Sequence, residues 1–318
     1  MRRTDGKKRI LWMVAMLLVA LLPALAGVSA GAATTQEPQP QEQAAAAATA
    51  TSPQKHVWLD AKGSPLPFQT EDEIVNFLTT AKIKKMKEIG TGITVPMKAL
   101  LEKDGVQMNA KFTHIQQEKA KAEMATGIEM GFRDDYQFEV GAYELARLLG
   151  LRNVPPTVKR KGWDPSGTSK NGSMQIWVEK VFTEFDRKMK TKVDPPDQTR
   201  WNYQMWEMHV FDALIQNTDR SLPNVLIDPD WKVWMIDHTR AFRRNPKVEN
   251  LNLLQHCERS LFEKLRTLDE GTVRARLKDY VRSGEIDALL KRRAELVAHF
   301  EQLIQEKGEG AVLYTFNE

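Results

Sequence analysis

The sequence predicts an α+β protein of two lobes, with a small antiparallel sheet in the first lobe and mainly helices in the second. Three observations indicate this architecture. Short segments with strand-like alternation crowd residues 82–112, and helical spacing dominates beyond residue 258. The pattern changes near residue 180, so we place the lobes at residues 56–179 and 180–318.

The first lobe is predicted to hold one short helix, a set of strands and one longer helix. In chain order we expect a helix at 71–78, strands at 82–88, 95–102 and 106–112, a helix at 134–149 and a strand at 174–179. Asp104-Gly105 is a strong hairpin signal between the second and third strands. In the third strand the apolar residues Met108, Ala110 and Phe112 alternate with polar ones, so Lys111 points away from the packed face.

The second lobe opens with a helix whose apolar residues, from Trp201 to Ile215, recur at helical spacing and therefore form core. Two short strands at 225–227 and 233–236 bracket a turn. From Glu258 the pattern is almost entirely helical, and the last helix ends before Gly308.

The first thirty residues have the order of a secretory signal peptide. Five basic residues precede an apolar run from Ile10 to Leu22, and small residues follow up to Ala30. We therefore expect residues 1–30 to be removed and the chain to be exported, either secreted or periplasmic or in a secretory lumen. The alternative is an uncleaved anchor helix, since residues 10–30 could almost span a bilayer; a membrane is a partner only in that case.

Residues 31–55 are predicted to be a disordered linker, because they are rich in Ala, Gln, Thr and Pro and hold almost no large apolar residue. The whole chain has 46 Lys and Arg against 42 Asp and Glu, and the first thirty residues contribute five bases and one acid. The mature chain is therefore about neutral, which argues against a nucleic-acid partner. Cys257 is the only cysteine, so no intramolecular disulfide can form.

One polar segment carries the strongest functional signal. A predicted helix runs into Asn217-Thr218-Asp219-Arg220, and Asn224 follows at the entry to a strand. A hairpin then delivers Asp237 at the end of the next strand. Phosphoryl transfer needs a carboxylate to orient the attacking hydroxyl and oxygen ligands to hold magnesium on the nucleotide phosphates. Asp219 suits the first role, and Asn224 with Asp237 suits the second.

This segment resembles the catalytic and metal-binding loops of the protein-kinase-like superfamily, with the secreted Golgi casein kinase group, the HipA-type kinases and the phosphatidylinositol 3-/4-kinases as the most similar families. The stretch Phe138–Val158 is also similar to a helix and following strand of the secreted kinases. The resemblance covers residues 82–242 and implies a bilobal protein-kinase-like fold. It further implies that Lys111 holds the ATP phosphates and pairs with Glu139, and that Gly90-Thr91-Gly92 forms a loop that closes over them.

Interpretations without a catalytic role stay open for the same residues. An isolated Asp-x-x-x-x-Asn is common in turns, Glu139 could be a helix-surface glutamate, and Lys111 an exposed strand lysine. Three positions depart from the pattern of the similar families: Gln216 and Thr239 stand where glycine is frequent, and Ser221 where histidine often follows the arginine.

The function expected from the sequence is ATP-dependent transfer of the γ-phosphate to a hydroxyl of a protein or small-molecule acceptor, with Mg²⁺ or Mn²⁺ as cofactor. Two alternatives remain at this point. One is a catalytically inactive pseudokinase that binds a nucleotide or a partner; the other is a lipid kinase of the phosphoinositide type.

Overall fold

The computed structural model describes residues 56–90, 96–124 and 127–316. The predicted signal peptide and linker, residues 1–55, lie outside the described residues, and so does Gly92. Within the described ranges, no helix is both long enough and apolar enough to cross a membrane. The two-lobed α+β architecture with an antiparallel sheet lobe and a helical lobe is confirmed.

The sheet lobe is built on five strands that pair antiparallel in the order β1-β2-β3-β7-β6. Their bounds are Lys82–Glu88 (β1), Met97–Lys103 (β2), Val106–Thr113 (β3), Thr157–Trp163 (β6) and Ser169–Ile176 (β7). Helix α1, Glu71–Thr80, begins with a capping box between Thr70 and Glu73. Its buried face joins Leu101, Met108 and Phe112 of the sheet in one apolar core.

The last strand of this sheet differs from its prediction. We predicted residues 174–179, but β7 begins at Ser169 and ends at Ile176. Its N-terminal half is exposed and polar, so the sequence there lacks the apolar alternation that signals a strand. Trp177 then leaves the ladder, although its N–H still donates to the carbonyl oxygen of Asn109.

A two-stranded hairpin between β3 and the long helix was not predicted. It consists of β4, Gln116–Met124, and β5, Gly127–Asp135. Strand β4 is rich in Gln, Glu, Lys and Ala, which favour helix over strand by intrinsic propensity. Tertiary contacts hold it instead: Arg282 of the helical lobe donates to both carboxylate oxygens of Glu118, at 2.8 and 2.9 Å.

Helix α2, Tyr136–Leu149, begins two residues later than predicted. Asp135 is its N-cap and accepts a hydrogen bond from the N–H of Gln137, so Asp134 belongs to the end of β5. Gly150 ends the helix in the left-handed conformation. The apolar face of α2 packs into the core of the helical lobe, where Phe138 contacts Phe242 with ring centroids 5.5 Å apart.

The helical lobe contains five helices and two small sheets within the described residues. The helices are α3 (Gln198–Ile215), α4 (Arg259–Thr267), α5 (Glu270–Leu277), α6 (Ser283–Lys307) and α7 (Glu309–Val312), with a π-helical segment at Asp186–Thr191 and 3₁₀ turns at Leu222–Asn224 and Leu251–Leu253. The strands are β8 (Phe182–Thr183), β9 (Val225–Ile227), β10 (Val233–Met235), β11 (Cys257–Glu258) and β12 (Leu313–Tyr314). Strands β8, β9 and β10 form an antiparallel sheet beside α3, and the predicted apolar stripe of α3 is buried.

Candidate active site

The loop that carries Asp219 is fixed by the end of α3. Gln216 caps the helix in the left-handed conformation, with φ of +47°. Asn217 donates from its backbone to the carbonyl of Asp212, and its side-chain oxygen accepts the N–H of Asp219 at 3.2 Å. The Asp219 side chain is 41% exposed at the surface where the two lobes meet. A left-handed residue at this corner explains why glycine is frequent there in the similar families.

Arg220 joins this loop to the strand that precedes Asp237. Its guanidinium forms a two-pronged ion pair with the Asp212 carboxylate, at 2.8 and 3.0 Å. The same group donates to the backbone carbonyls of Asn224 and Ile236, both at 2.7 Å. Four hydrogen bonds from one side chain therefore set the spacing between the two predicted functional loops.

His238 completes this buried joint. Its Nε2 lies 2.9 Å from Arg220 Nη2. Burial, together with the nearby positive charge of Arg220, holds the pKa of His238 well below its usual range. The imidazole is therefore neutral and accepts from the arginine, which can only donate.

The β9–β10 hairpin places Asp237 opposite Asn224. The N–H of Ile236 donates to the carbonyl of Asn224 at 3.2 Å, and the Asn224 amide donates to the carbonyl of Asp219 at 2.9 Å. That bond leaves Asn224 Oδ1 as the atom able to bind a cation. Asp237 has φ of +62°, a left-handed conformation that costs free energy in most residues and that aspartate tolerates better than most.

The sheet lobe contributes Lys111 from β3 and Glu139 from α2. Lys111 Nζ lies 2.8 Å from Glu139 Oε1 and 3.9 Å from Asp237 Oδ1. The second Glu139 oxygen accepts a hydrogen bond from Ser173 at 3.0 Å, and the Glu139 side chain is fully buried. Glu139 is therefore not a helix-surface glutamate, and Lys111 is not an exposed strand lysine.

Burial and charge oppose each other at this ion pair. Burial lowers the pKa of Lys111, but Glu139 and Asp237 raise it by more, so its pKa lies above the usual range and the amine stays charged. Burial raises the pKa of Glu139, against the opposing effect of Lys111. The result is a fixed positive charge directed at Asp237, suited to binding phosphate.

Asp219 is electrostatically distinct from Asp237. Burial raises the pKa of Asp219 above its usual value, Arg240 opposes that shift and Asp237 adds to it. Arg240 Nη1 lies 3.4 Å from Asp219 Oδ1, and its guanidinium stacks over Phe132 of the hairpin at 5.3 Å. A carboxylate with a raised pKa is suited to accept a proton.

Asp134, at the end of β5, also faces this group. The N–H of the next residue, Asp135, donates to the carbonyl of Thr239 at 2.8 Å. The Thr239 hydroxyl bonds the carboxyl group of Asp134 and lies 3.4 Å from Asp237 Oδ1. Burial raises the pKa of Asp134, and Asp237 adds to the rise. Thr239 is not among the residues with positive φ, so its side chain fits where glycine is frequent.

Five of the predicted residues therefore converge. We call Lys111, Glu139, Asp219, Asn224 and Asp237 the interlobe site. Gly90 lies at the end of the described β1 segment, is exposed and has φ of +70°, a conformation that favours glycine. Its contact with phosphate stays a prediction, as does that of Gly92.

Sequence reasoning missed the residues that support this site. Arg220 stands in the motif but was given no role, and Asp212 is a polar residue inside the apolar run Phe211-Asp-Ala-Leu-Ile, a signal that could have suggested a buried partner. Ser173 and Asp134 carry no such signal, because their positions depend on strands β7 and β5, whose bounds the pattern does not show.

The donor set fits a hard divalent cation. Carboxylate and amide oxygens are the ligands that Mg²⁺ prefers, and it is usually held by one or two carboxylates with water and substrate phosphates. Among the residues that the structure describes, no group of three or more His, Cys, Asp or Glu side chains is arranged to hold a metal ion. Asp237 and Asn224 therefore fit as partial ligands to a cation that also contacts phosphate.

Comparison with solved structures identifies similar folds. Hydra Fam20, solved with sugar, is similar to this chain with a TM-score of 0.60 and 16% sequence identity, over 79% of this chain and 95% of that one. The Golgi casein kinase is similar with a TM-score of 0.56 and 16% identity, over 76% and 78% of the two chains. A crystal structure of the Golgi casein kinase with Mn/ADP bound is similar with a TM-score of 0.56 and 15% sequence identity, over 78% of this chain and 80% of that one.

The fold is protein-kinase-like. No protein-family model and no curated protein matches the sequence. The kinase-like fold was expected from the motif around Asp219 and Asp237, and the resemblance to the secreted Golgi casein kinase group is confirmed at the level of structure.

Proposed function

We propose that this protein is an ATP-dependent phosphotransferase that moves the γ-phosphate to a hydroxyl of a protein or small-molecule acceptor. The observation that carries the proposal is the arrangement of charges across the two lobes. Lys111 of the sheet lobe lies 2.8 Å from Glu139 and 3.9 Å from Asp237, while Asp219 stands on a separate loop with a raised pKa. Kinase-like phosphoryl transfer uses these groups in this division of labour.

Each residue of the interlobe site then has a role. Lys111, oriented by Glu139, binds the α- and β-phosphates of ATP, and Gly90 with Gly92 belongs to the loop that covers them. Asp237 and Asn224 hold Mg²⁺ or Mn²⁺. The cation supplies charge neutralisation on the phosphates. Asp219 orients the acceptor hydroxyl and accepts its proton, and Arg240 keeps the Asp219 carboxylate in place.

The similar structures support the nucleotide and the metal. The Golgi casein kinase was solved with Mn/ADP bound, which supports a nucleotide with a divalent cation in this chain. That protein belongs to the Golgi, which supports the export that residues 1–30 predict. We also propose that residues 56–179 form the first lobe of the kinase-like fold and residues 180–318 the second.

The first experiment tests nucleotide binding. ATP with Mg²⁺ or Mn²⁺ at a hundredfold excess over Kd should stabilise the folded chain by about 2.7 kcal/mol. For a chain of this size that is roughly 5 to 10 °C in Tm, measured by thermal unfolding. A flat response with both metals contradicts a nucleotide site.

The second experiment separates the two aspartates. Asp237→Ala should weaken both nucleotide binding and phosphate transfer. Asp219→Ala should leave metal-nucleotide binding intact and lower transfer by about 10²- to 10⁴-fold, because a positioned base acts mainly in the transition state. Transfer is measured as autophosphorylation or slow ATP hydrolysis until an acceptor is known.

Asp230→Asn is the matched control, since Asp230 is exposed in the turn of the β9–β10 hairpin that leads to Asp237. It should behave like the parent chain. If both active-site variants bind and turn over like the parent, the assigned roles are wrong. A parent chain that binds nucleotide but transfers phosphate to nothing, including water, is a pseudokinase.

A further inference from the structure

Asp134 is a buried carboxyl group in the interlobe region to which the proposed function gives no task. It is 8% exposed, and its Oδ1 has no hydrogen-bond partner within the described part of the chain. An ionised carboxylate taken out of water without a partner costs several kcal/mol, so such groups are normally paired or bound to a metal. The position of Asp134 shows which of these applies.

The end of β5 is docked onto the segment that follows Asp237. Asp135 donates its N–H to the Thr239 carbonyl at 2.8 Å, and Arg243 donates to the carbonyl of Arg133 at 3.0 Å. These two hydrogen bonds hold the backbone on both sides of Asp134 against the segment that follows Asp237. Asp134 is therefore held by the fold rather than by a flexible loop.

One hydroxyl group lies between the two carboxyl groups. Thr239 bonds Asp134 and lies 3.4 Å from Asp237 Oδ1. A threonine hydroxyl has a single proton to donate, so it cannot satisfy both carboxylates at once. One of the two carboxylates therefore lacks this donor.

The nearby cationic side chains are shared among several acids. Lys111 contacts Glu139 at 2.8 Å and Asp237 at 3.9 Å, and Arg240 contacts Asp219 at 3.4 Å. Asp237 and Asp219 repel the negative charge on Asp134, and Arg240 attracts it. A divalent cation would neutralise Asp134 and Asp237 together.

We propose that Asp134 is a second carboxylate ligand of the divalent cation, beside Asp237, and that the protein binds Mn²⁺ or Mg²⁺ before any nucleotide arrives. The inference rests on the proposed role of Asp237 as a cation ligand. Two carboxylates with water and phosphate in the remaining positions is a usual environment for Mg²⁺. It also agrees with the lack of a closed three-residue cluster among the described residues.

The test measures Mn²⁺ binding to the full chain without nucleotide, by electron paramagnetic resonance of free Mn²⁺ and by calorimetry. Asp134→Asn and Asp134→Ser should each weaken Mn²⁺ affinity by at least about tenfold, because even outer-shell partners of metal ligands are worth that much. Asp104→Asn is the matched control: Asp104 lies in the exposed β2–β3 turn of the same lobe, and its variant should keep the parent affinity.

Thermal unfolding in EDTA separates a lost ligand from a lost fold. Both Asp134 variants should be at least as stable as the parent in EDTA, since they remove a repelled carboxylate, and should gain less stability from Mn²⁺. If neither variant folds, a crystal of the parent chain soaked in Mn²⁺ decides, through an anomalous peak within coordination distance of Asp134 Oδ1.

The inference is overturned if the Asp134 variants bind Mn²⁺ with the affinity of the parent. It is also overturned if the parent chain binds no Mn²⁺ without nucleotide. In either case Asp134 is a buried acid that holds no metal. The outcome is distinguishable from failure of the proposed function. Asp134-dependent Mn²⁺ binding in a chain that never binds ATP contradicts only the phosphotransferase. Normal ATP binding with unchanged Mn²⁺ affinity in the variants contradicts only the role of Asp134.

Discussion

Removal of the Arg220 side chain tests whether one guanidinium holds the two functional loops together. Arg220→Ala leaves Asp212 without its counter-charge in a place where both side chains are only about a tenth exposed, at 10% and 11%. Breaking a buried pair from one side costs about 3 to 5 kcal/mol. The bonds to the carbonyls of Asn224 and Ile236 add about 1 kcal/mol in total if water replaces part of them.

The expected loss is therefore about 4 to 6 kcal/mol in the free energy of unfolding, or roughly 10 to 20 °C in Tm for a chain of this size. Urea and thermal unfolding followed by circular dichroism measure it. Arg266→Ala is the control, because Arg266 pairs with Glu263 and Glu301 at the exposed surface. The Arg266→Ala variant should lose less than about 1 kcal/mol in the free energy of unfolding.

A double-mutant cycle locates the cause. Asp212→Ala added to Arg220→Ala removes the carboxylate that was left unpaired, so the double variant should cost about 2 kcal/mol less than the two single losses combined. A loss for Arg220→Ala no larger than that for Arg266→Ala would refute the reasoning, and additive losses would show that the pair is not the source.

Two further predictions concern pH, and urea unfolding of parent and variant at two pH values measures both. Lys111→Met should lose more stability at pH 8 than at pH 5. The pKa of Glu139 is already raised by burial and rises further without Lys111, so the folded variant keeps a proton that the unfolded chain releases, and keeping it costs more as the pH increases. Equal losses would contradict this. Burial lowers the pKa of His56 from 6.5 to about 4. As the pH falls, the unfolded chain therefore binds a proton at His56 before the folded chain does. Through this residue the parent should lose up to about 3 kcal/mol in the free energy of unfolding between pH 6.5 and pH 4. His56→Asn should lack that part of the acid sensitivity, and parallel pH profiles for the two proteins would count against it.

The sequence predicted the parts of this protein whose signals are local. Asp104-Gly105 marked the β2–β3 hairpin, and the spacing from Asp219 through Asn224 to Asp237 marked the loops that the structure brings together. Alternation in β3 was enough to direct Lys111 away from the packed face, while its pairing with Glu139 was implied by the resemblance to the secreted kinases.

The remaining features depend on contacts between distant segments. Strand β4 has a helix-favouring sequence, yet it pairs in a hairpin, and its Glu118 accepts hydrogen bonds from Arg282, 164 residues later. Asp134 is placed by that hairpin, so its position could not be predicted either. Gln216 was recorded only as a departure from glycine, because a left-handed φ cannot be read from a residue that rarely adopts one.

The packing of α2 bears on how the protein can be controlled. Because Phe138 packs on Phe242 and a side chain at Gly141 would meet Val281 at 2.9 Å, α2 cannot swing outwards without opening the core of the helical lobe. Kinases commonly switch off by such a swing, or by an activation segment that waits for phosphorylation. Residues 240–258, which follow Asp237 and Thr239, contain no Ser, Thr or Tyr. The contacts of α2 therefore hold Glu139 against Lys111, and under the proposed function phosphate transfer would follow the supply of nucleotide, cation and acceptor.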